Sequence, residues 1–123
     1  MNPWQFDVIV TTNLFGDILS DQLAGLVGGL GMAPGANIGP DAAIFEAVRG
    51  SAPDIAGKGV ANPLALLLAV GLMLENVDQP HLANRLRVAI DQVLRKDAVR
   101  TPDLGGKAST ADFIQSIIRR LGT

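Results

Sequence analysis

Short strand-like segments placed among longer helical ones are the feature that most restricts the fold of this chain. Residues 6–11 (FDVIVT) are apolar and β-branched, as in a buried strand, and residues 43–48 (AIFEAV) predict a second strand. Strands that alternate with helices indicate an α/β fold. Two or three strands are too few for a sheet covered on both faces, so we expect the chain to be part of a larger unit.

Four helices are predicted from apolar spacing and from the residues at their starts. Asn13 and Ser109 or Thr110 offer N-cap oxygens, whereas Pro63 and Pro80 suit a first helical position, which needs no N–H donor. The predicted helices cover residues 14–26, 63–76, residues from 80 onward, and a last stretch that ends at about 121. The glycine- and proline-rich stretch before the second strand is not expected to hold regular structure for long.

Composition limits the class of protein. A chain of 123 residues forms at most one ordinary domain, and its 48% hydrophobic and 18% charged content argues against disorder. A net charge of -2 gives no excess of basic residues that could bind nucleic acid or an anionic membrane, and we expect neither as a partner. The longest apolar run, residues 64–74, is too short to cross a bilayer. The chain has no cysteine and no signal-peptide pattern, so we expect a cytoplasmic protein.

Two carboxylates placed four residues apart form the first candidate site. Residues 13–21 (NLFGDILSD) put Asp17 and Asp21 on one face of the first predicted helix, where both can point at a single hard cation. Each acid taken alone has a commoner explanation, because Asp17 can interact with the helix dipole and Asp21 can lie on a solvated face.

Two glycine-rich segments suggest a nucleotide held beside that cation. They cover residues 28–39 (GGLGMAPGANIG) and residues 50–58 (GSAPDIAGK). The first segment is not a clean dinucleotide fingerprint, since Pro34 stands where the third glycine belongs and the segment follows a helix. Asp54 alone would be an ordinary turn residue. The chain has no tyrosine and one histidine, His81 at a helix start, which argues against histidine-based nucleophilic catalysis.

In their order and spacing these segments resemble the C-terminal part of the β-decarboxylating dehydrogenases, which include isocitrate, homoisocitrate, isopropylmalate and tartrate dehydrogenases. The resemblance covers essentially the whole chain and is carried by residues 13–21, 28–39, 50–58 and 61–63. The residues GANIG at 35–39 and IFEAV at 44–48 are most similar to NAD-dependent isocitrate dehydrogenase. Homoisocitrate dehydrogenase is the next most similar, and isopropylmalate dehydrogenase is more distant.

The resemblance implies a fold and an assembly. The implied fold is a partial isopropylmalate/isocitrate dehydrogenase-like α/β fold and not a standard Rossmann domain. Residues up to about 28 would belong to the small domain, and residues 29–123 to the large domain that holds the nucleotide. The helix at 14–26 matches one in the family's intersubunit four-helix bundle, so we expect a homo-oligomer or a partner chain of the same family.

The resemblance also implies site residues and cofactors. Asp17 and Asp21 match the acids that hold Mg²⁺ or Mn²⁺, and that ion chelates the hydroxyl and carboxylate of a 2-hydroxy acid substrate. The implied second cofactor is NAD, with Asp54 accepting hydrogen bonds from the adenosine ribose and Asn62 bonding adenine. The implied nucleotide-binding residues are Glu46, Gly50, Ser51, Ala52, Asp54, Ile55, Asn62 and Asp103. The implied reaction is NAD-linked oxidative decarboxylation, with isocitrate as the first candidate substrate.

Two departures from the family pattern qualify this implied function. Arg49 stands where the family has a histidine against the adenosine. No part of the chain matches the family's upstream half, which carries the substrate-binding arginines, a catalytic tyrosine and lysine, and a further metal-binding aspartate. Three hypotheses stay open: a truncated dehydrogenase that is inactive alone, a nucleotide- or metal-binding module without catalysis, and an interaction protein that docks onto a full-length relative.

Overall fold

The computed structural model of the chain describes residue 2, residues 5–48 and residues 50–122. These described residues form four α-helices and two β-strands, joined by loops that contain short 3₁₀ turns at residues 30–32, 53–55 and 102–104. In chain order the elements are α1 (Asn13–Leu26), β1 (Pro34–Ile38), β2 (Ala43–Ala47), α2 (Leu64–Asn76), α3 (Pro80–Arg95) and α4 (Thr110–Leu121). The chain therefore mixes helices and strands, as predicted.

The hydrophobic core lies between α2, α3 and α4. Helix α2 contacts both the strands and α3, and α3 also contacts α4. Apolar residues on α3 recur three and four positions apart, so one face of the helix is buried and the other is solvated. The buried core residues are Leu64, Leu86, Ala89, Ile90, Val93, Phe113 and Ile117.

Strands β1 and β2 form an antiparallel hairpin that packs on α2. Pro34 pairs with Ala47 and Ile38 with Ala43, and the backbone N–H of Gly39 donates to the carbonyl of Ala42 at 2.9 Å across the turn. The strand predicted at residues 43–48 is confirmed as β2. The expectation that the glycine-rich stretch before β2 holds no lasting regular structure is wrong for β1. Pairing with β2 supplies backbone hydrogen bonds, and the β-propensity of the individual residues does not predict such pairing.

The strand predicted at residues 6–11 is wrong. Those residues form no strand, and the side chains of Val8 and Val10 are 80% and 91% exposed. A strand needs a neighbour for its backbone hydrogen bonds, and none of the described residues pairs with this segment. Its β-branched pattern is therefore present without the sheet that would bury it.

The predicted helices are confirmed, with different caps at two of them. Thr12, not Asn13, is the N-cap of α1 and makes no side-chain capping bond. Pro63 precedes α2 as its N-cap instead of occupying the first helical position. Ser109 caps α4, as predicted, through a complete capping box with Asp112. Within the described part of the chain, no helix is both long enough and apolar enough to span a membrane.

Candidate functional site

The two acids of the candidate metal site lie on the exposed side of α1. Asp17 is the fifth residue of that helix, and the first turn of α1 contains no acid, which removes the helix-dipole explanation for Asp17. The backbone carbonyl of Asp17 accepts a hydrogen bond from the Ser20 hydroxyl at 3.0 Å. Because Asp17 and Asp21 stand one helical turn apart, their carboxylates can converge on one ion.

The donor chemistry of this pair suits Mg²⁺ or Mn²⁺, which prefer hard oxygen ligands. No group of three or more histidines, cysteines or acids is found together among the residues that the structure describes. Two carboxylates fill only part of an octahedral shell. Asp17 and Asp21 therefore fit a divalent cation that takes its remaining ligands from water, substrate or other protein groups.

Asn62 and Asp103, predicted as nucleotide contacts, meet in space. The Asn62 amide Nδ2 donates to Oδ2 of Asp103 at 2.8 Å, although the two residues are 41 positions apart. The same nitrogen lies 3.9 Å from the sulfur of Met32. The Asn62 oxygen Oδ1 accepts the backbone N–H of Leu64 at 2.9 Å, so the side chain is held at both ends.

This pair lies where two loops come together. Asn62 stands just before α2, and Asp103 lies in the short turn Pro102–Leu104 between α3 and α4. Asp103 is exposed and Asn62 is partly buried. A carboxylate has several acceptor positions and an amide nitrogen has two N–H donors, so the pair can still accept from and donate to a polar ligand such as a nucleotide base.

The predicted nucleotide loop, residues 50–59, is exposed along its whole length. Ala52 adopts a left-handed conformation with φ of 42°, and a 3₁₀ turn follows over Pro53–Ile55. The backbone N–H of Ile55 donates to the carbonyl of Ala52 at 3.1 Å, which stabilises the turn. Asp54 is the acid of that turn and faces solvent, where its carboxylate can accept hydrogen bonds.

The far end of this loop is bound to α4. The backbone N–H of Thr110 donates to the carbonyl of Gly59 at 2.8 Å, and its hydroxyl donates to the carbonyl of Ala61 at 2.5 Å. The sequence predicted Thr110 only as a possible helix cap. No local signal could have revealed these two bonds, because their partners lie about fifty residues earlier in the chain.

In the part of the chain that the structure describes, no hydrogen bond joins the other predicted site residues to the Asn62–Asp103 pair. Glu46 lies on the exposed face of β2, where its carboxylate accepts from the Asn37 amide at 3.4 Å. Among the described residues, no hydrogen bond or ion pair joins Asp17 or Asp21 to the nucleotide loop. Arg49, the departure noted in the sequence, lies outside the described residues.

Comparison with known proteins gives close matches along the whole chain. The protein-family profile described as isocitrate/isopropylmalate dehydrogenase matches residues 1–117. The isocitrate/homoisocitrate dehydrogenase of Thermus thermophilus is 56% identical over 98% of this chain and 36% of its own length. The 3-isopropylmalate dehydrogenase of Methanothermobacter thermautotrophicus is 53% identical over 97% of this chain and 36% of its own length.

A solved structure matches as well. The crystal structure of isocitrate dehydrogenase from Methylococcus capsulatus superposes with a TM-score of 0.92 and 53% identity, over 100% of this chain and 37% of that one. The fold is thus a partial isopropylmalate/isocitrate dehydrogenase-like fold, and its relatives are decarboxylating dehydrogenases. The chain belongs to the isocitrate/isopropylmalate dehydrogenase family. It spans about a third of the length of the relatives it matches.

Proposed function

We propose that this chain supplies the metal-binding acids and the nucleotide loop of a metal-dependent, NAD-linked decarboxylating dehydrogenase whose substrate is isocitrate. The observation that carries the proposal is the contact between Asn62 and Asp103, which joins two implied nucleotide residues from distant parts of the chain. Homoisocitrate and isopropylmalate are the alternative substrates, since relatives named for each are about as similar to this chain. The proposed compartment is the cytoplasm, which agrees with a chain that has no cysteine.

The acids on α1 would hold Mg²⁺ or Mn²⁺. When bound, the ion acidifies the substrate hydroxyl and stabilises the negative charge that develops on decarboxylation. Asp17 and Asp21 would supply two negatively charged oxygen ligands from one face of α1 and so fix the position of the ion. In this proposal residues up to about 28 form the small-domain part of the site, and residues 29–123 form the nucleotide-holding part.

The nucleotide would lie along residues 50–59 and reach the Asn62–Asp103 pair. The Asp54 carboxylate accepts hydrogen bonds from ribose hydroxyls, which is the usual arrangement in proteins that prefer NAD. Asn62 and Asp103 bond the adenine edge. Gly50, Ser51, Ala52 and Ile55 belong to the same loop as Asp54, and Glu46 lies on strand β2, which precedes that loop.

We also propose that these 123 residues do not turn over substrate alone. Proton transfer requires a positioned acid or base. The chain has no tyrosine, and no part of it matches the upstream half in which the family carries its catalytic tyrosine and lysine. Binding of the substrate carboxylates requires an arginine cluster, which the matched segments also lack. Each missing contribution typically lowers a rate by about 10²-fold or more.

A second candidate function is a non-catalytic module that docks onto a related chain. The observation that favours it is the exposed apolar surface of α1, where Leu14, Phe15 and Leu26 are 66%, 66% and 72% exposed. Copurification with a full-length relative, without isocitrate-dependent turnover in any combination, would select this candidate.

The deciding experiment joins this chain to the upstream two thirds of the Thermus thermophilus relative. We expect NADH production from isocitrate by the chimera and none above background by the 123-residue chain. Asp17→Asn or Asp21→Asn in the chimera should abolish turnover, whereas Asp41→Asn, at an exposed acid in the hairpin turn, should leave it unchanged. A chimera indifferent to Asp17→Asn would refute the metal assignment, and robust turnover by the chain alone would refute the requirement for the upstream part.

A further inference from the structure

Thr110 makes two hydrogen bonds that join the start of α4 to the end of the nucleotide loop. Its backbone N–H reaches the carbonyl of Gly59 at 2.8 Å, and its hydroxyl reaches the carbonyl of Ala61 at 2.5 Å. The first residue of a helix has no intrahelical acceptor for its N–H. In Thr110 this N–H is satisfied by the carbonyl of Gly59 at the end of the loop, and the hydroxyl adds a second bond to the carbonyl of Ala61.

The helix that carries Thr110 is firmly held. The Ser109 hydroxyl accepts the backbone N–H of Asp112 at 3.1 Å, and the backbone N–H of Ser109 donates to the Asp112 carboxylate at 3.0 Å. Phe113 is fully buried in the core, and Ile117 is buried one turn further along. Thr110 is therefore a fixed point on which a loop can be positioned.

The segment that Thr110 holds leads directly into the Asn62–Asp103 pair. Gly59 has a φ of 64°, a conformation that favours glycine, so the chain turns there before it enters the tied stretch. Ala61 is bonded to Thr110 and is the immediate neighbour of Asn62. Asn62 then bonds Asp103 at 2.8 Å and the backbone of Leu64 at 2.9 Å.

We propose that Thr110 is a positioning residue for the nucleotide site. Its hydroxyl fixes the backbone before Asn62, so that the amide meets Asp103 and the loop ends at a defined place. The proposal rests on the proposed function for its consequence in nucleotide binding, but the tie itself can be measured without any ligand. Within residues 5–48 and 50–122, no hydrogen bond joins Thr110 to Asp54 or to the acids of α1.

The test compares Thr110→Val, which keeps the shape and removes the hydroxyl, with Thr110→Ser, which keeps the hydroxyl. In the 123-residue chain, amide hydrogen exchange should be about fivefold faster in Thr110→Val at Leu64 and at position 110, the two amides that bond to Asn62 and Gly59. Thr110→Ser should stay within about twofold of the unchanged chain. In the chimera described above, Thr110→Val should raise KM for NAD about fivefold and leave KM for isocitrate within about twofold.

The matched control is Thr11→Val, because the Thr11 hydroxyl donates only to the neighbouring carbonyl of Thr12. Thr11→Val should leave exchange at Leu64 and position 110 unchanged. Unchanged exchange in Thr110→Val, or equal acceleration in Thr110→Ser or Thr11→Val, would overturn the proposal. If Thr110→Val does not fold, the proposal can still be tested with Thr110→Ser, which keeps the hydroxyl. Amide exchange at Leu64 or position 110 that is more than about twofold faster in Thr110→Ser contradicts a role for the hydroxyl. A chimera that does not use NAD would refute the proposed function, whereas the exchange comparison would still judge Thr110.

Discussion

Asn62 shows how a single residue serves both the fold and the site. Pro63 precedes α2 and cannot cap it with a side chain, so the Asn62 oxygen accepts the N–H of Leu64. The other end of the same amide meets Asp103. Because both ends are occupied, a substitution at Asn62 changes the start of the helix together with the contact to Asp103. Residues whose side chains leave the start of α2 untouched are better probes of the site.

Asp54 is such a probe, and it should set the choice between NAD and NADP. A 2′-phosphate beside this carboxylate would meet a like charge, and Ile55 offers it no hydrogen bond. We expect the chimera to bind NAD more tightly than NADP, and Asp54→Asn to shift the ratio of dissociation constants toward NADP by about tenfold.

The measurement is a titration of each variant with both dinucleotides at one fixed ionic strength. Asp41→Asn is the matched control, since it removes an exposed acid outside the loop and should leave the ratio unchanged. Tighter NADP binding by the unsubstituted chimera would contradict the assignment of this loop.

At the scale of elements, α4 depends on its capping box. The hydroxyl and backbone N–H of Ser109 donate to the Asp112 carboxylate and hold the pKa of that carboxyl below its usual range. A lowered folded-state pKa contributes stability that is present above the unfolded pKa and is lost as pH falls through the folded pKa. The cap should therefore weaken in acid.

Ser109→Ala should lower the free energy of unfolding by about 1 kcal/mol at neutral pH, because it removes the hydroxyl from the cap. The difference from the unsubstituted chain should shrink below the folded pKa of Asp112, where the carboxyl is protonated in both. Urea unfolding at neutral and strongly acidic pH measures this. Ser20→Ala is the control, since Ser20 lies inside α1 and caps nothing. An equal loss in Ser20→Ala, or a difference that grows in acid, would contradict this account.

The elements also show how far the sequence predicts the fold. The helices follow from apolar spacing and start signals, which are local, so all four were predicted. Strand β1 has a proline and a glycine in its first two positions and is held by its partner β2, so propensity could not reveal it. Residues 6–11 show the converse, since their strand pattern has no partner among the described residues.

The candidate site was predictable for a different reason. The contact between Asn62 and Asp103 spans 41 positions, and neither spacing nor periodicity predicts it. Only the resemblance to a family brought the two residues together before the structure did. The ties of Thr110 are of the same nonlocal kind, but the motifs that carry the resemblance do not include that residue, and sequence reasoning missed its role.

At the scale of the whole molecule, the apolar residues of α1 and of the segment before it are mostly exposed, whereas apolar residues of α2, α3 and α4 form the core. Of the described residues of α1, only Ala24 is buried, whereas α2, α3 and α4 share the core. The exposed apolar residues from 6 to 27 are Phe6, Val8, Ile9, Val10, Leu14, Phe15, Ile18, Leu19, Leu23, Leu26 and Val27. So many exposed apolar residues in one stretch mark an interface or an aggregation risk.

We therefore expect the 123-residue chain to self-associate at tens of micromolar. The double substitution Leu23→Lys and Leu26→Lys should lower the weight-average mass in sedimentation toward that of a monomer and reduce binding of a hydrophobic dye. Val77→Lys, at an exposed apolar residue after α2, should leave the mass unchanged. A clean monomer without dye binding before any substitution would contradict the prediction.

The concentration of the core in α2, α3 and α4 means that two kinds of natural selection act along one chain. A polar replacement in those helices at a position such as Phe113 is removed because the molecule no longer folds. A polar replacement of an exposed apolar residue of α1, at a position that does not disturb Asp17 or Asp21, leaves that core intact and is removed where association benefits the organism. Over evolutionary time the two regions should diverge at rates that are set independently, the first by folding and the second by the partner.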